Sequence, residues 1–173
     1  LSFDIKRDLL LNCIYGVDKD FNAVEACKFG LLLKLLEDEE INSLSAFHPI
    51  LPNLDHNIFF GNSLLSSENF PSDLIEEINP FDFGERKFDL IVGNPPYMKT
   101  EDIKKFTPNE KKLYEKRNLY VSANKQYDKY FLFIERAIGL LKPDGYLGYI
   151  VPSKFMKVGA GTKLRKLISG SKN

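Results

Sequence analysis

The stretch Phe88-Asp89-Leu90-Ile91-Val92-Gly93-Asn94-Pro95-Pro96-Tyr97 constrains this chain more than any other. A mainly apolar run ending in glycine reads as a buried strand. It stops at two prolines, which cannot donate to a sheet, and the first of them biases Asn94 towards an extended backbone. An amide, two prolines and an aromatic ring are thereby delivered to the carboxyl end of a strand. In open parallel sheets that end is where ligands bind.

The flanking pattern places this strand among helices. Cys13 to Val17 is a short apolar run ending at Asp18, read as a buried strand. Asn22 or Asp20 can cap the next helix, with Glu25 as capping-box partner to Asn22. Val24, Cys27, Leu31 and Leu35 give residues 22–37 an apolar stripe. The run Glu37 to Glu40 sits against the helix dipole and reads as a solvated acidic surface. Residues 57–61 form another strand candidate, and a short helix is expected at 71–79. Residues 98–124 are polar and resemble a long excursion or a small helical insertion. Helical periodicity returns over 126–141, Lys142 to Gly145 form a turn, residues 146–151 form a strand, and 161–169 form a short basic helix. Strands alternating with helices predict an α/β fold with a mainly parallel sheet. There is no internal repeat and no low-complexity tract.

Charge sharpens this picture. The 173 residues carry 24 basic and 24 acidic side chains, a net of zero. Residues 1–92 hold 7 basic against 17 acidic, and residues 93–173 hold the reverse. A uniformly basic coat is excluded, while a basic face on an acidic domain is allowed. The 43% hydrophobic and 13% aromatic content argues against disorder. No apolar run reaches a membrane span and no signal-peptide pattern opens the chain, so no membrane partner is expected. Cys13 and Cys27, without metal spacing, are expected as small buried hydrophobes of a reduced, intracellular protein. An opening Leu1 suggests a segment of something longer.

Asp18, Asn62 and Asn94-Pro95-Pro96-Tyr97 all fall at or just beyond strand ends. An exocyclic amine on a nucleobase, or a carboxamide, is a poor nucleophile because its lone pair is delocalised. Two acceptors holding its two N–H bonds localise that pair. The Asn94 side-chain oxygen is one candidate, and the Pro95 carbonyl is the other. Tyr97 offers a ring to lie against a planar substrate.

FDLIVGNPPY resembles the catalytic motif of amino-group methyltransferases that use S-adenosylmethionine. With IYGVDKDFNAV, GNSLL, LLKPDGYLGYIVPSKF and KLRKLI in this order, the chain from about Ile14 to Ile168 resembles the N6-adenine-specific DNA methyltransferases of type II restriction–modification systems, most nearly the fused restriction–methylation branch. The resemblance implies a Rossmann-like methyltransferase fold, with residues 1–173 a partial catalytic domain carrying a basic insertion at about 98–124. It implies S-adenosylmethionine as cofactor, double-stranded DNA and the upstream and downstream segments of the parent chain as partners, and a cytoplasmic, prokaryotic setting. By this resemblance Asp18 binds the cofactor ribose, with Asp20 competing for that role. Asn62 stands where the family usually has an aspartate near the cofactor adenine, and accepts through its oxygen. Asn94 lies near the cofactor and, with Pro95 and Pro96, forms the grip on the target amine; Tyr97 stacks on a flipped base.

Three departures stand out. The family's first strand with its Gly-rich loop has no counterpart, because Gly159-Ala160-Gly161 follows no strand. Ala160 stands where the family often has an aromatic; Phe155 is a candidate substitute, with core packing its ordinary role. No target-recognition domain or nuclease motif is present, so the chain is read as the middle of a methyltransferase domain; with the Gly-rich half of the cofactor pocket missing, the isolated segment is expected to bind cofactor weakly or not at all. Lys99, Lys104, Lys105, Lys111, Lys112, Lys116 and Arg117, and then Lys154, Lys157, Lys163, Arg165 and Lys166, form two basic clusters that are candidates to meet phosphates, the first reading equally as solvated surface because four acids accompany it. His48 and His56 are assigned nothing. A protein glutamine or RNA methyltransferase, and a non-catalytic DNA-binding or assembly module, are the alternatives.

Overall fold

The computed structural model describes residues 1–39, 49–66, 70, 72–116 and 119–170, with only the backbone of Lys116. Glu40, His48 and Arg117 lie outside these. The chain divides into two compact units, Leu1–Asp82 and Phe83–Asn173. Its architecture is α/β, with two short parallel strand pairs.

The first unit runs α1 (Phe3–Cys13), β1 (Gly16–Asp18), α2 (Phe21–Leu36), β2 (Ile58–Phe60) and the one-turn helix α3 (Ile75–Ile78). β1 and β2 are parallel, with Gly16 opposite Ile58 and Asp18 opposite Phe60. Phe3, Leu10, Val24, Leu35, Leu54 and Ile58 form the core, so α1 and α2 each give one stripe to it.

Helix α1 corrects the expected strand at Cys13 to Val17: the helix takes Cys13, and the strand begins at Gly16. A helix leaves its last carbonyls without partners. Here the buried Asn57 amide donates to the carbonyls of Leu11 at 2.8 Å and Ile14 at 3.1 Å, and reaches that of Leu10 at 3.3 Å. That cap comes from more than forty residues away, so local pattern carries no sign of it.

At α2 the cap is Asp20, whose Oδ1 accepts from the N–H of Asn22 at 2.8 Å and of Ala23 at 3.3 Å. The acids at its C-terminus are answered by cations, Glu37 by Lys34 and Glu39 by Lys6. Both cysteines are exposed, contrary to expectation. At about 100° per residue, Cys27 lies some 60° off the line through Val24, on the rim of the buried stripe. Cys13 is in the last turn of α1, beyond its buried Phe3 and Leu10.

The second unit runs β3 (Phe88–Gly93), α4 (Thr100–Phe106), α5 (Pro108–Lys116), α6 (Lys129–Leu140), β4 (Leu141–Tyr149) and α7 (Thr162–Gly170). β3 and β4 are parallel. Phe88 faces Leu141 and Leu90 faces Tyr146, so three extra residues of β4 bulge out before Gly93 meets Tyr149. The expected turn at Lys142 to Gly145 is this bulge, with Asp144 at φ 62°. Gly145 permits it, because a Cβ there would lie 3.1 Å from the Phe88 carbonyl oxygen.

The polar stretch after the proline pair is helical. Ile103, Leu113 and Tyr114 of α4 and α5 are buried, as are Tyr130, Phe131, Leu132, Ile134, Ala137 and Leu140 of α6. Glu135 ties the connecting segment down by accepting from the N–H groups of Val121 at 2.7 Å and Ser122 at 2.8 Å. Among the described residues no helix is long and apolar enough to cross a membrane.

Candidate active site

β3 delivers Asn94, Pro95, Pro96 and Tyr97 in the order expected. Asn94 and Pro96 are exposed, Pro95 is buried, and Tyr97 is 50% exposed. The turn is fixed to the neighbouring strand end in two ways. The Ile150 N–H donates to the Gly93 carbonyl at 3.1 Å, carrying the ladder one step past β4. The Tyr97 hydroxyl lies 2.8 Å from the Ile150 carbonyl oxygen and 2.7 Å from Asn94 Oδ1. Gly93 suits this close approach, since a Cβ there would crowd the Tyr149 ring at 3.0 Å.

Behind the turn sits an aromatic floor. Tyr97 meets Tyr130 edge-on at 6.1 Å, and Tyr130 in turn contacts Phe131 at 4.8 Å and Phe155 at 6.3 Å. Such pairs favour edge-to-face geometry because ring edges are positive and ring faces negative. Phe155 is 7% exposed, which places it in the core. Tyr130 donates to the Pro152 carbonyl at 3.3 Å, and burial pushes its hydroxyl pKa up to about 12. Tyr97 therefore has one covered edge and an exposed remainder.

Asp128 carries no sign of a role in the sequence. It precedes α6, pairs its backbone with Lys99 two residues beyond Tyr97, and adjoins Lys129, whose N–H donates to Met98. Burial holds its carboxyl above the usual range, against the pull of Lys154 and Lys99. A lone aspartate before an apolar helix reads as a cap, and only the fold sets it beside the turn that carries Tyr97.

In the first unit, Asp18 and Asn62 lie at the carboxyl ends of adjacent parallel strands, and the Gly61 N–H donates to the Asp18 carbonyl at 2.8 Å. Asp18 is exposed; its Oδ1 accepts from the Asp20 N–H at 2.7 Å. Asp20 is engaged as the helix cap, which leaves Asp18 the freer carboxylate. Asn62 is 5% exposed. Its Oδ1 accepts from the Leu64 N–H at 3.1 Å, while its Nδ2 is buried without a partner. The group it has to spare is a donor, whereas the sequence suggests an acceptor role. Local turn formation engages one lone pair of the oxygen.

The basic clusters divide. Lys99, Lys104, Lys105, Lys112, Lys154, Lys157, Lys163 and Lys166 are exposed. Lys111 is paired with Glu115 at 2.5 Å. Arg165 is turned inward: Nη1 donates to the carbonyls of Phe155 at 2.6 Å and Val158 at 2.9 Å, and Nη2 to Thr162 Oγ1 at 3.0 Å. No cluster of acidic, histidine or cysteine side chains suited to a metal ion occurs among the described residues.

Comparison with known proteins places this arrangement. The family model for the Eco57I restriction-modification methylase matches residues 12–173. The chain is 57% identical over 173 residues to the type II restriction enzyme and methyltransferase RM.Eco57I of Escherichia coli, covering 99% of this chain and 17% of that protein. It is 32% identical over 167 residues to the type II methyltransferase M.BstVI of Geobacillus stearothermophilus, covering 94% and 25%. Over a shorter stretch of 64 residues it is 39% identical to the release factor glutamine methyltransferase of Geobacter sulfurreducens, covering 37% and 22%. The chain thus spans a quarter or less of the length of these relatives, and it belongs to the Eco57I restriction-modification methylase family.

Proposed function

We propose that the protein containing this chain transfers a methyl group from S-adenosylmethionine to the N6 amino group of adenine in double-stranded DNA, as the methylating part of a type II restriction–modification enzyme. In this reading residues 1–173 are part of a Rossmann-like catalytic domain, and residues 98–124 are a basic insertion of that domain. One observation carries the reading. An exposed carboxamide, a proline carbonyl and a half-exposed tyrosine ring converge at a strand end that the Ile150 carbonyl holds in place.

The residues fit the cofactor. The exposed Asp18 carboxylate suits the two ribose hydroxyls, since it accepts more than one hydrogen bond. The unpartnered Asn62 amide suits an acceptor on a purine ring. S-adenosylmethionine supplies, when bound, a methyl carbon activated by its sulfonium. The protein's own task is then positioning and charge complementarity. The Asn94 oxygen and the Pro95 carbonyl accept the two N–H bonds of the target amine, holding its lone pair towards the methyl carbon. Tyr97 stacks on a base turned out of the duplex. The exposed lysines after the turn and along the last helix meet phosphates.

A second reading, transfer to a protein glutamine amide, is favoured by the identity to the release factor methyltransferase. A carboxamide presents the same two N–H bonds to the same two acceptors. Labelled cofactor offered to the full-length protein with DNA, RNA and protein separates the readings. Label in duplex DNA, lost with Asn94→Ala, is the expected result; label in protein alone overturns the first reading.

A further inference from the structure

The Tyr97 hydroxyl has two oxygens at hydrogen-bonding distance, Asn94 Oδ1 at 2.7 Å and the Ile150 carbonyl at 2.8 Å. A phenol carries one proton and can donate to one of them only. Whichever it leaves faces it lone pair to lone pair. The Ile150 carbonyl cannot resolve the conflict, because a carbonyl has no proton to give. The Asn94 carboxamide can. Rotation by 180° about its last side-chain bond exchanges oxygen and nitrogen in place. The nitrogen then donates to the tyrosine oxygen, and the tyrosine donates to the Ile150 carbonyl. A separation of 2.7 Å is within the range of an N–H···O bond.

We infer that Tyr97 is a positioning residue: its hydroxyl, anchored on the Ile150 carbonyl, accepts from the Asn94 amide nitrogen and so turns the Asn94 oxygen outward to the amine that is methylated. The inference rests on the reading of Asn94 as an acceptor for that amine. It gives the tyrosine a second task, separate from offering a ring to the base. Asn94 is exposed, and its amide position away from Tyr97 has no protein partner among the described residues, so that position is where substrate is met. Held with its nitrogen outward, the carboxamide would present donors to a group that is itself a donor. The Ile150 carbonyl is a fixed reference, because its own N–H is bound to Gly93 at the end of the β3–β4 ladder.

The test uses the full-length protein, duplex DNA and the variants Tyr97→Phe, Asn94→Ala, Asn94→Asp and the double variant Tyr97→Phe/Asn94→Asp. Phenylalanine keeps the ring and its edge contact with Tyr130 and deletes only the hydroxyl. Tyr97→Phe is expected to lower the single-turnover rate of methyl transfer about tenfold, the scale of one hydrogen bond. Duplex Kd, KM for DNA and the thermal midpoint stay within twofold or a degree or two. A carboxylate has an acceptor at both positions and nothing to orient, so adding Tyr97→Phe to Asn94→Asp is expected to cost far less. If Asn94→Asp transfers too slowly to measure, the split between kcat and KM in Tyr97→Phe decides alone. A wild-type rate in Tyr97→Phe, with Asn94→Ala inactive, overturns the inference and leaves the reading of Asn94 standing. A loss appearing only in Kd or KM also overturns it, since that is the signature of a base-stacking or packing role. Wild-type transfer by Asn94→Ala overturns the underlying reading instead.

Discussion

Lys129 Nζ lies 2.8 Å from Glu110 Oε2, and the two side chains are 8% and 3% exposed. Their pairing joins α5 to the first turn of α6, and the buried Tyr114 hydroxyl donates to the same carboxylate oxygen at 2.8 Å. A buried ion pair adds little over an apolar pair of equal volume, yet removing one partner strands the other charge out of water. Glu110→Ala and Lys129→Ala are each expected to destabilise the protein by about 3–5 kcal/mol. Replacing both residues by apolar ones of like volume is expected to recover the part of that loss due to the stranded charge, while the Tyr114 hydroxyl still loses its carboxylate acceptor. Denaturant midpoints of the two single variants and the double variant measure it. Additive losses in the double variant would show that the charges stand in water.

Asp128 gives a pH dependence of unusual sign. Its folded pKa is raised, burial being the largest cause, with Lys154 and Lys99 opposing it and Glu101 adding to it. The folded state therefore binds its proton more tightly than the unfolded state. The charged form costs stability once pH exceeds the folded pKa, and that cost disappears below the unfolded value of 3.8. Asp128→Asn is expected to raise the denaturation midpoint at neutral pH. The gain should shrink as pH falls towards 3.8 and vanish below it. A gain that is constant with pH would assign the effect to something other than titration.

The turn at Asn94 to Tyr97 is legible in the sequence because its signal is local. An apolar strand, a polar residue and two prolines fix β3 and the turn after it without reference to the rest of the chain. α6 is legible for a like reason, its apolar stripe showing through at helical spacing. Features that depend on distant partners are not. Helix α1 is closed by Asn57 and shows only two buried positions of its own, Phe3 and Leu10. Cys27 reads as part of the α2 stripe, and only packing reveals which edge of that stripe is covered. Asn62 reads as an acceptor, yet its oxygen already accepts from the Leu64 N–H and its unpartnered group is the amide nitrogen. Residue type shows which groups a side chain carries, but three-dimensional neighbours decide which of its atoms are already engaged.

The inward turn of Arg165 separates residues that the sequence groups as one basic cluster. Its guanidinium binds the carbonyls of Phe155 and Val158, beside Gly161, where a Cβ would overlap the Phe155 carbonyl oxygen. That packing leaves the arginine holding a turn together. Lys163 and Lys166 on the same helix are exposed. If the last helix meets phosphates, as proposed, each lysine contributes through counterion release and Arg165 does not. Lys163→Ala and Lys166→Ala are each expected to weaken binding of the full-length protein to duplex DNA, whatever its sequence. Each should flatten the plot of log affinity against log salt by about 0.9. Arg165→Ala is expected to leave that slope unchanged and instead to lower the thermal midpoint, since the carbonyl of the buried Phe155 loses its donor, at about 1–3 kcal/mol, while the Val158 carbonyl keeps the Gly161 N–H at 3.1 Å. Affinities measured from about 50 to 200 mM salt on the three variants separate the roles. A slope change in Arg165→Ala equal to that of the lysines would mean that the guanidinium leaves its carbonyls to meet DNA.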